Sequence, residues 1–140
     1  MNTLMLTLVT PVKKFLEDVE VSEVLIPGYV GELNILPGHA PLMTTLNPGI
    51  LKYKPSNSSE YKSVSISWGY CEVGPKGVTI LAETAELPEE INIKRAEDTK
   101  VKSERALLTH EISLDDIYKH QMKIRRSLVR MEVAKSKVTD

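Results

Sequence analysis

Glycine and proline are distributed unevenly along this chain of 140 residues, and their distribution is the strongest constraint on its fold. All seven glycines and seven of the eight prolines precede position 88, which is itself the last proline. Glycine and proline set turns and interrupt helices. The sequence therefore predicts one turn-rich domain over residues 1–87 and a second, helical domain over residues 88–140.

The balance of charge changes at the same point. Residues 1–87 carry six lysines, no arginine and nine acidic residues, whereas residues 88–140 carry twelve basic and ten acidic residues. The net charge of the whole chain is −1, which argues against a dedicated nucleic-acid-binding protein. The uncharged stretch Met1–Val12 is too short to span a bilayer and lacks the basic start of a signal peptide. We expect a protein that begins at Met1 in a reducing cytoplasmic compartment.

The first domain alternates hydrophobic and polar residues over short runs, a pattern typical of strands. Turn signals such as Pro27-Gly28 and Pro48-Gly49 separate the runs. The pattern predicts a β-sandwich, with a flattened barrel as the alternative. The candidate strands are Leu4–Leu8, Val19–Ile26 with a bulge after Val21, Leu33–Leu36, Leu42–Leu46, Ile50–Lys54, Val64–Trp68 and Val78–Ala82.

The second domain has helical periodicity. A first helix is expected from about Glu89 to Leu108, with an irregular apolar face. Ser113 is expected to cap a second helix, with Asp116 three residues later in a box-like arrangement. The second helix carries a stricter stripe with steps of three and four, formed by Leu114, Ile117, Gln121, Ile124, Leu128, Met131, Lys135 and Val138. Together the two helices predict a hairpin.

The sequence contains no constellation typical of an enzyme. The three histidines lie in separate segments without metal-ligand spacing, and no GxSxG, GxGxxG or GxxxxGK[ST] motif occurs. The single cysteine, Cys71, excludes an internal disulfide, and its strand-like surroundings predict a buried structural residue. We therefore predict no catalytic residue and no metal site.

The second helix is strongly basic between Lys119 and Lys137, where Glu132 is the one acidic residue. A solvated helix face and a surface that docks on an acidic partner helix are the two leading interpretations. Nucleic-acid binding is the third and is disfavoured, because Tyr118 is the only aromatic residue available for stacking.

The most informative stretch is Gly28–Leu42, GYVGELNILPGHAPL, followed by Asn47-Pro48-Gly49. It closely resembles the epsilon subunit of bacterial F-type ATP synthases, whose pattern reads GELGILPGHAPL and then PG. The resemblance continues through Gly69–Val73, Val78–Glu86 and the two-helix tail, so it covers essentially the whole chain. It implies an α+β protein, with an N-terminal ten-stranded β-sandwich followed by a C-terminal antiparallel helical hairpin.

The resemblance also implies partners. The sandwich would bind the gamma subunit near His39 and the ring of c subunits through Glu32, although a solvated turn residue and a loop brace are the alternatives for these two positions. The hairpin would fold against the sandwich or extend toward the alpha and beta subunits. In the extended state Arg125, Arg126 and Arg130 would contact acidic residues and inhibit ATP hydrolysis. The chain would then be a non-catalytic, central-stalk rotor subunit, peripheral to the cytoplasmic face of a bacterial inner membrane.

Some members of that family bind ATP through an I/L-D-x-x-R-A motif at the start of the first helix. This chain reads Ile91-Asn92-Ile93-Lys94-Arg95-Ala96, so asparagine replaces the acid. Lys119 and Arg126 resemble the basic positions of the second helix, with a lysine where arginine is usual. The resemblance thus implies no required cofactor, and ATP as a weak regulatory ligand of Ile91, Arg95, Lys119 and Arg126. A further departure is Trp68, where the family usually has glycine.

Three other classes of protein remain alternatives on the residues alone. A stand-alone β-sandwich adaptor would bind some other helical partner through its basic tail. A nucleic-acid module would show affinity that falls steeply with salt. An enzyme would retain a metal or a cofactor through purification.

Overall fold

The computed structural model describes residues 3–109 and 112–136 of the chain. It divides into two compact units, Met1–Ala85 and Glu86–Asp140. The division falls close to the change in composition at Pro88. Each unit is described by itself below.

Strands account for most of the first unit. They are β1 (Leu4–Val9), β2 (Lys14–Pro27), β3 (Glu32–Ile35), β4 (Leu42–Leu46), β5 (Gly49–Pro55), β6 (Lys62–Val73) and β7 (Gly77–Glu86). Every run predicted from the alternation of residues lies in one of them, except that Leu36 falls just after the end of β3. In β1, Leu4, Leu6 and Leu8 are buried while Met5 is exposed, so the predicted alternation is confirmed.

Five of these strands close into a ring. β1 pairs with β2 antiparallel and with β7 parallel, and the path continues from β7 through β6 and β5 back to β2. β3 extends from β2, and β4 extends from β6. The sandwich is therefore barrel-like, which leaves few open strand edges.

The expectation of ten strands is wrong for the described residues, which contain seven. Two long strands each pair with different neighbours along their length, where separate shorter strands could have made the same pairings. β6 pairs with β5 through Lys62–Ile66 and with β4 through Gly69–Val73. β2 pairs first with β1 and later with β5 and β3, with a register shift between Val21 and Glu23. That shift confirms the predicted bulge.

Both long strands contain a residue with positive φ, Asp18 at 45° in β2 and Trp68 at 57° in β6. This left-handed conformation favours glycine, the residue that the resemblance leads us to expect at position 68. The structure shows no functional role for Trp68. The next residue, Gly69, lies so close to β7 that a Cβ there would be 1.9 Å from the backbone oxygen of Leu81.

The core of the first unit lies inside the ring and is aliphatic. Cys71 is fully buried in it, which confirms the prediction of a structural cysteine. The large side chains with no solvent exposure are Leu6, Leu8, Val21, Val24, Ile26, Ile35, Leu51, Val64 and Ile80.

The second unit begins with a 3-10 turn over Pro88–Glu90 and continues with helices α1 (Ile93–Leu107) and α2 (Leu114–Ser136). The prediction that the first helix starts at Glu89 is wrong. Ile91 is extended, and Asn92 caps α1 because its side-chain oxygen accepts a hydrogen bond from the Arg95 backbone N–H at 3.0 Å. The predicted Ser113 cap is confirmed, since the Asp116 backbone N–H donates to Ser113 Oγ at 3.2 Å.

The helices pack on each other, but the predicted stripe on α2 is only partly correct. Ile117, Ile124 and Met131 are half-buried, whereas Leu114 and Leu128 are 84% and 46% exposed; Val138 lies outside the described residues. The buried positions with the heptad spacing carry small residues, Ala96 and Ser103 in α1 and Ser127 and Ala134 in α2. Small side chains let helix axes approach closely, so the buried face of α2 is rotated from the predicted one.

No helix in the described part of the chain is both long enough and apolar enough to span a membrane.

Candidate functional site

Backbone hydrogen bonds fix the loop that begins at Gly28. The Tyr29 N–H donates to the Thr45 carbonyl at 3.0 Å, and the Asn47 N–H donates to the Pro27 carbonyl at 3.0 Å. The Asn47 side-chain amide adds a third bond, to the Tyr29 carbonyl at 3.2 Å. The two parts of the Gly28–Gly49 motif are therefore held together by main-chain contacts.

Gly49 is required by this arrangement. A Cβ at position 49 would lie 2.4 Å from Pro27 Cβ, well inside van der Waals contact. The close approach of Pro27 accounts for the glycine at position 49 in physical terms.

Glu32 is the first residue of β3 and is exposed. It follows an exposed turn in which Tyr29 and Val30 are 69% and 97% accessible. Among the described residues, no basic side chain lies within 4.0 Å of the Glu32 carboxylate, and that carboxylate is free to meet a partner. The turn and Glu32 together form an exposed tip with two large apolar side chains and one negative charge.

His39 has a structural role that the sequence allowed but did not decide. Its Nδ1 lies 2.7 Å from the Ala40 carbonyl, and its backbone N–H donates to the Leu36 carbonyl at 3.0 Å. The half-buried imidazole thus braces the turn after β3. Neither of these hydrogen bonds involves Glu32.

The outward face of β4 and β6, which was not predicted, carries two exposed large hydrophobic side chains beside Thr45 and Glu72. Met43 and Tyr70 are 65% and 45% exposed, and Tyr70 pairs with Thr45 across the two strands. The signal was present, because Met43 alternates with the inward-facing Leu42 and Leu46 and should point outward.

The three arginines predicted to contact a partner differ in their surroundings. Arg125 is exposed and Arg126 is half-buried. Arg130 is already paired: its Nε lies 2.6 Å from Glu86 Oε1, and its Nη2 donates to Glu86 Oε2 at 3.0 Å. Glu86 was not predicted as the partner of Arg130, since no local pattern relates positions 86 and 130.

The residues predicted to bind ATP are brought together in part. Arg95 lies twelve residues before the end of α1 and Arg126 twelve residues after the start of α2, so the helical rise places them at similar heights in the hairpin. Lys119 is two turns from Arg126 on the same face of α2. Ile91 is buried. Within the described residues, no acidic side chain forms an ion pair with Arg95, Lys119 or Arg126.

Within residues 3–109 and 112–136, no group of three or more His, Cys, Asp or Glu side chains could hold a metal ion. The features that the described residues present are an exposed tip, an outward face with Met43 and Tyr70, and a basic helix.

Comparison with known proteins gives the family. Residues 3–88 match the family model for the beta-sandwich domain of the ATP synthase delta/epsilon chain. The ATP synthase epsilon chain of Bdellovibrio bacteriovorus is 43% identical over 129 residues, with 92% of each chain covered. That of Geobacter metallireducens is 43% identical over 130 residues, with 91% of this chain and 90% of the relative covered. The chain belongs to the ATP synthase epsilon-chain family.

Solved structures share the fold. A chain of the Euglena gracilis mitochondrial ATP synthase, in a cryo-EM structure of its OSCP/F1/c-ring part, has a TM-score of 0.82 at 21% identity. The likeness covers 96% of this chain and 82% of that chain. A chain of the Tetrahymena thermophila central stalk/c-ring has a TM-score of 0.67 at 17% identity, over 94% of this chain and 96% of that one.

Proposed function

We propose that this chain is the non-catalytic rotor subunit in the central stalk of a proton-translocating ATP synthase, where it couples rotation of the c-ring to ATP synthesis. The observation that carries the proposal is the 43% identity to an ATP synthase epsilon chain over 92% of both chains. The two structural neighbours come from assemblies described as containing a c-ring. Contacts within the complex would hold the subunit at the cytoplasmic face of the bacterial inner membrane.

The exposed tip supports a contact with the c-ring. A carboxylate beside two exposed apolar side chains suits a protein partner with polar loops, because the apolar groups are buried and the charge gives orientation. In this proposal Glu32 makes the c-ring contact. The loop that His39 braces lies against the gamma subunit, so His39 acts through the shape of that loop.

Binding to the gamma subunit tests the first part of the proposal. We expect the full chain to form a stable one-to-one complex with the gamma subunit of the same enzyme, and His39→Ala to weaken it by loosening the loop. Glu32→Gln should leave that complex intact and weaken attachment to the c-ring. Glu60→Gln, an exposed acid between β5 and β6, is the matched control. A monomer with no affinity for the gamma subunit would instead favour a stand-alone adaptor.

We further propose that the hairpin inhibits ATP hydrolysis when α2 contacts acidic residues of the alpha and beta subunits. Three exposed ion pairs contribute at most about 3 kcal/mol, whereas moving an equilibrium from 1:99 to 99:1 takes about 5.5 kcal/mol. Apolar contacts must supply the remainder. Leu128 and Leu114 are already exposed in the compact hairpin and are available for them.

The ATPase activity of the assembled complex tests this inhibition. Arg125→Glu with Arg126→Glu should raise hydrolysis, since both repulsion and lost pairing disfavour the inhibited state. Lys102→Glu, on the exposed face of α1, should have no such effect. Unchanged hydrolysis in the double variant would exclude an electrostatic contribution from Arg125 and Arg126.

ATP is proposed as a weak regulatory ligand of the compact hairpin, supported by the unpaired Arg95 and Arg126 at similar heights. Even at 100 times its dissociation constant, a ligand stabilises the bound state by only about 2.7 kcal/mol. Isothermal titration should show weak, saturable binding that Arg95→Ala abolishes. Binding that appears only in Asn92→Asp would mean that this chain has lost the site.

A further inference from the structure

The pair formed by Glu86 and Arg130 differs from the other ion pairs of the described residues. Lys14–Glu17 and Lys100–Glu104 join close neighbours in sequence through single contacts of 3.6 Å and 3.9 Å. Glu86 and Arg130 are 44 residues apart, and both carboxylate oxygens face the guanidinium. The Arg130 side chain is 18% exposed and the Glu86 side chain is 31% exposed. The pair is therefore a charged contact within the second unit between residues far apart in sequence.

Its position ties α2 to the first residue of that unit. Glu86 directly precedes the segment with the 3-10 turn Pro88–Glu90, and this turn packs on α2. Ile91 just after the turn is buried, as are Val133 and Ala134 one turn beyond Arg130. A movement of α2 away from this segment would separate Arg130 from Glu86.

Such a separation is unfavourable unless Arg130 finds a new partner. Arg130 Nη2 donates one charge-assisted hydrogen bond to Glu86 Oε2, and Arg130 Nε lies 2.6 Å from Oε1 as an ion pair without a hydrogen bond. Removing one partner leaves the other charge poorly solvated, which is the costly way to break a partly buried pair. The Lys100–Glu104 pair is held less firmly, because it has a single contact of 3.9 Å and its side chains are 33% and 51% exposed.

We propose that Glu86 and Arg130 form a latch that keeps the hairpin compact, and that opening requires Arg130 to exchange Glu86 for another carboxylate. One guanidinium edge cannot serve both partners at once, so the compact state and an Arg130 contact outside the hairpin exclude each other. The inference rests on the proposed function, in which α2 leaves the compact hairpin. Glu86 then determines how readily α2 leaves the compact hairpin.

The latch is tested in the isolated full chain by measuring distances between spin labels at Glu97→Cys in α1 and Glu132→Cys in α2, both exposed positions. The native Cys71 is fully buried and takes no label in the folded chain. Glu86→Gln and Arg130→Gln should each lower the ratio of compact to open hairpin about tenfold, the change expected from losing a charge-assisted hydrogen bond. The exchanged pair Glu86→Arg with Arg130→Glu should restore much of the compact population.

Glu104→Gln is the matched control, because it breaks a pair with Lys100 that lies entirely within α1 and should leave the distances unchanged. The latch is overturned if neither single variant shifts the distances, or if the control shifts them equally. It is also overturned if the exchanged pair is as open as the single variants. None of these readouts uses the gamma subunit or ATP hydrolysis, so failure of the latch is distinguishable from failure of the rotor proposal.

Discussion

The side-chain oxygen of Asn92 accepts a hydrogen bond from the backbone N–H of Arg95 at 3.0 Å. The residue that departs from the family's nucleotide motif is thus also the N-cap of α1. Asparagine and aspartate are equally good caps. The Asp-to-Asn difference therefore changes the charge near Arg95 without changing how the helix begins, and Asn92→Asp is a clean variant for the nucleotide question.

Loss of this cap should destabilise the second unit. Asn92→Ala leaves an N–H of the first turn without its partner, and we expect the free energy of unfolding to fall by about 1 kcal/mol. Asn92→Asp should stay within about 0.5 kcal/mol of the native chain. Urea unfolding followed by helical circular dichroism measures both, with Asn57→Ala in the exposed β5–β6 connection as the control. Equal effects of Asn92→Ala and Asn57→Ala would refute the capping role.

The buried thiol of Cys71 makes stability depend on alkaline pH. Burial, with a smaller contribution from the charge of Glu72, raises the pKa of the Cys71 thiol from its ordinary value of 9.0 to about 12. Above pH 9 the unfolded chain releases this proton while the folded chain keeps it. The contribution of Cys71 to stability should therefore fall with rising pH between 9 and 12, by up to about 1.4 kcal/mol per pH unit.

Cys71→Ala isolates this contribution, because it removes the titrating group while other alkaline transitions remain. The native chain should lose stability more steeply than the variant over that range, whatever the offset caused by the smaller side chain. Thiol reagents should also react with the native chain only at the rate of unfolding. Rapid labelling of the folded chain at pH 8 would contradict the burial of Cys71.

Gly69 permits the bend of β6 and its contact with β7. Its φ of 133° is strained for any side chain, and a Cβ would lie 1.9 Å from the Leu81 backbone oxygen. We expect Gly69→Ala to cost more than about 3 kcal/mol, combining backbone strain with a clash that rigid backbone cannot relieve. Gly74→Ala is the matched control, since no atom lies within 4 Å of its added Cβ. A thermal midpoint of Gly69→Ala equal to that of Gly74→Ala would disprove this requirement.

Local patterns in the sequence predicted the features that depend on neighbouring residues. Alternation placed the strands, and the cap at Ser113 followed from the residues around it. The wrong count of ten came from the resemblance, whereas the seven runs predicted from alternation correspond to the seven strands. The local patterns did not predict that β6 continues through Trp68 and Gly69 and pairs with two different strands. Strand pairing depends on contacts between residues that are far apart in the sequence. Local hydrophobic periodicity carries no information about such contacts.

In the candidate site as well, local features were predicted and contacts between distant residues were not. The Gly28–Leu42 segment stood out because glycine and proline fix its turns, and Glu32 is exposed at its tip. The partner of Arg130 could not be inferred, since Glu86 is 44 residues away and carries no distinguishing pattern. The stripe on α2 was misplaced for another reason. Periodicity weighs large apolar residues such as Leu128, whereas the buried positions with heptad spacing carry Ser127 and Ala134.

The buried face of α2 can be tested directly. Ala134 is 3% exposed, so Ala134→Leu would insert a large side chain into a closely packed position and should destabilise the second unit by about 1 to 3 kcal/mol. Leu128 is 46% exposed, and Leu128→Ala should cost less than about 1 kcal/mol. Helical circular dichroism during urea unfolding compares the two variants in the full chain. If α2 instead buried the stripe predicted from periodicity, Leu128→Ala would leave a cavity costing about 2 to 5 kcal/mol and Ala134→Leu would be tolerated.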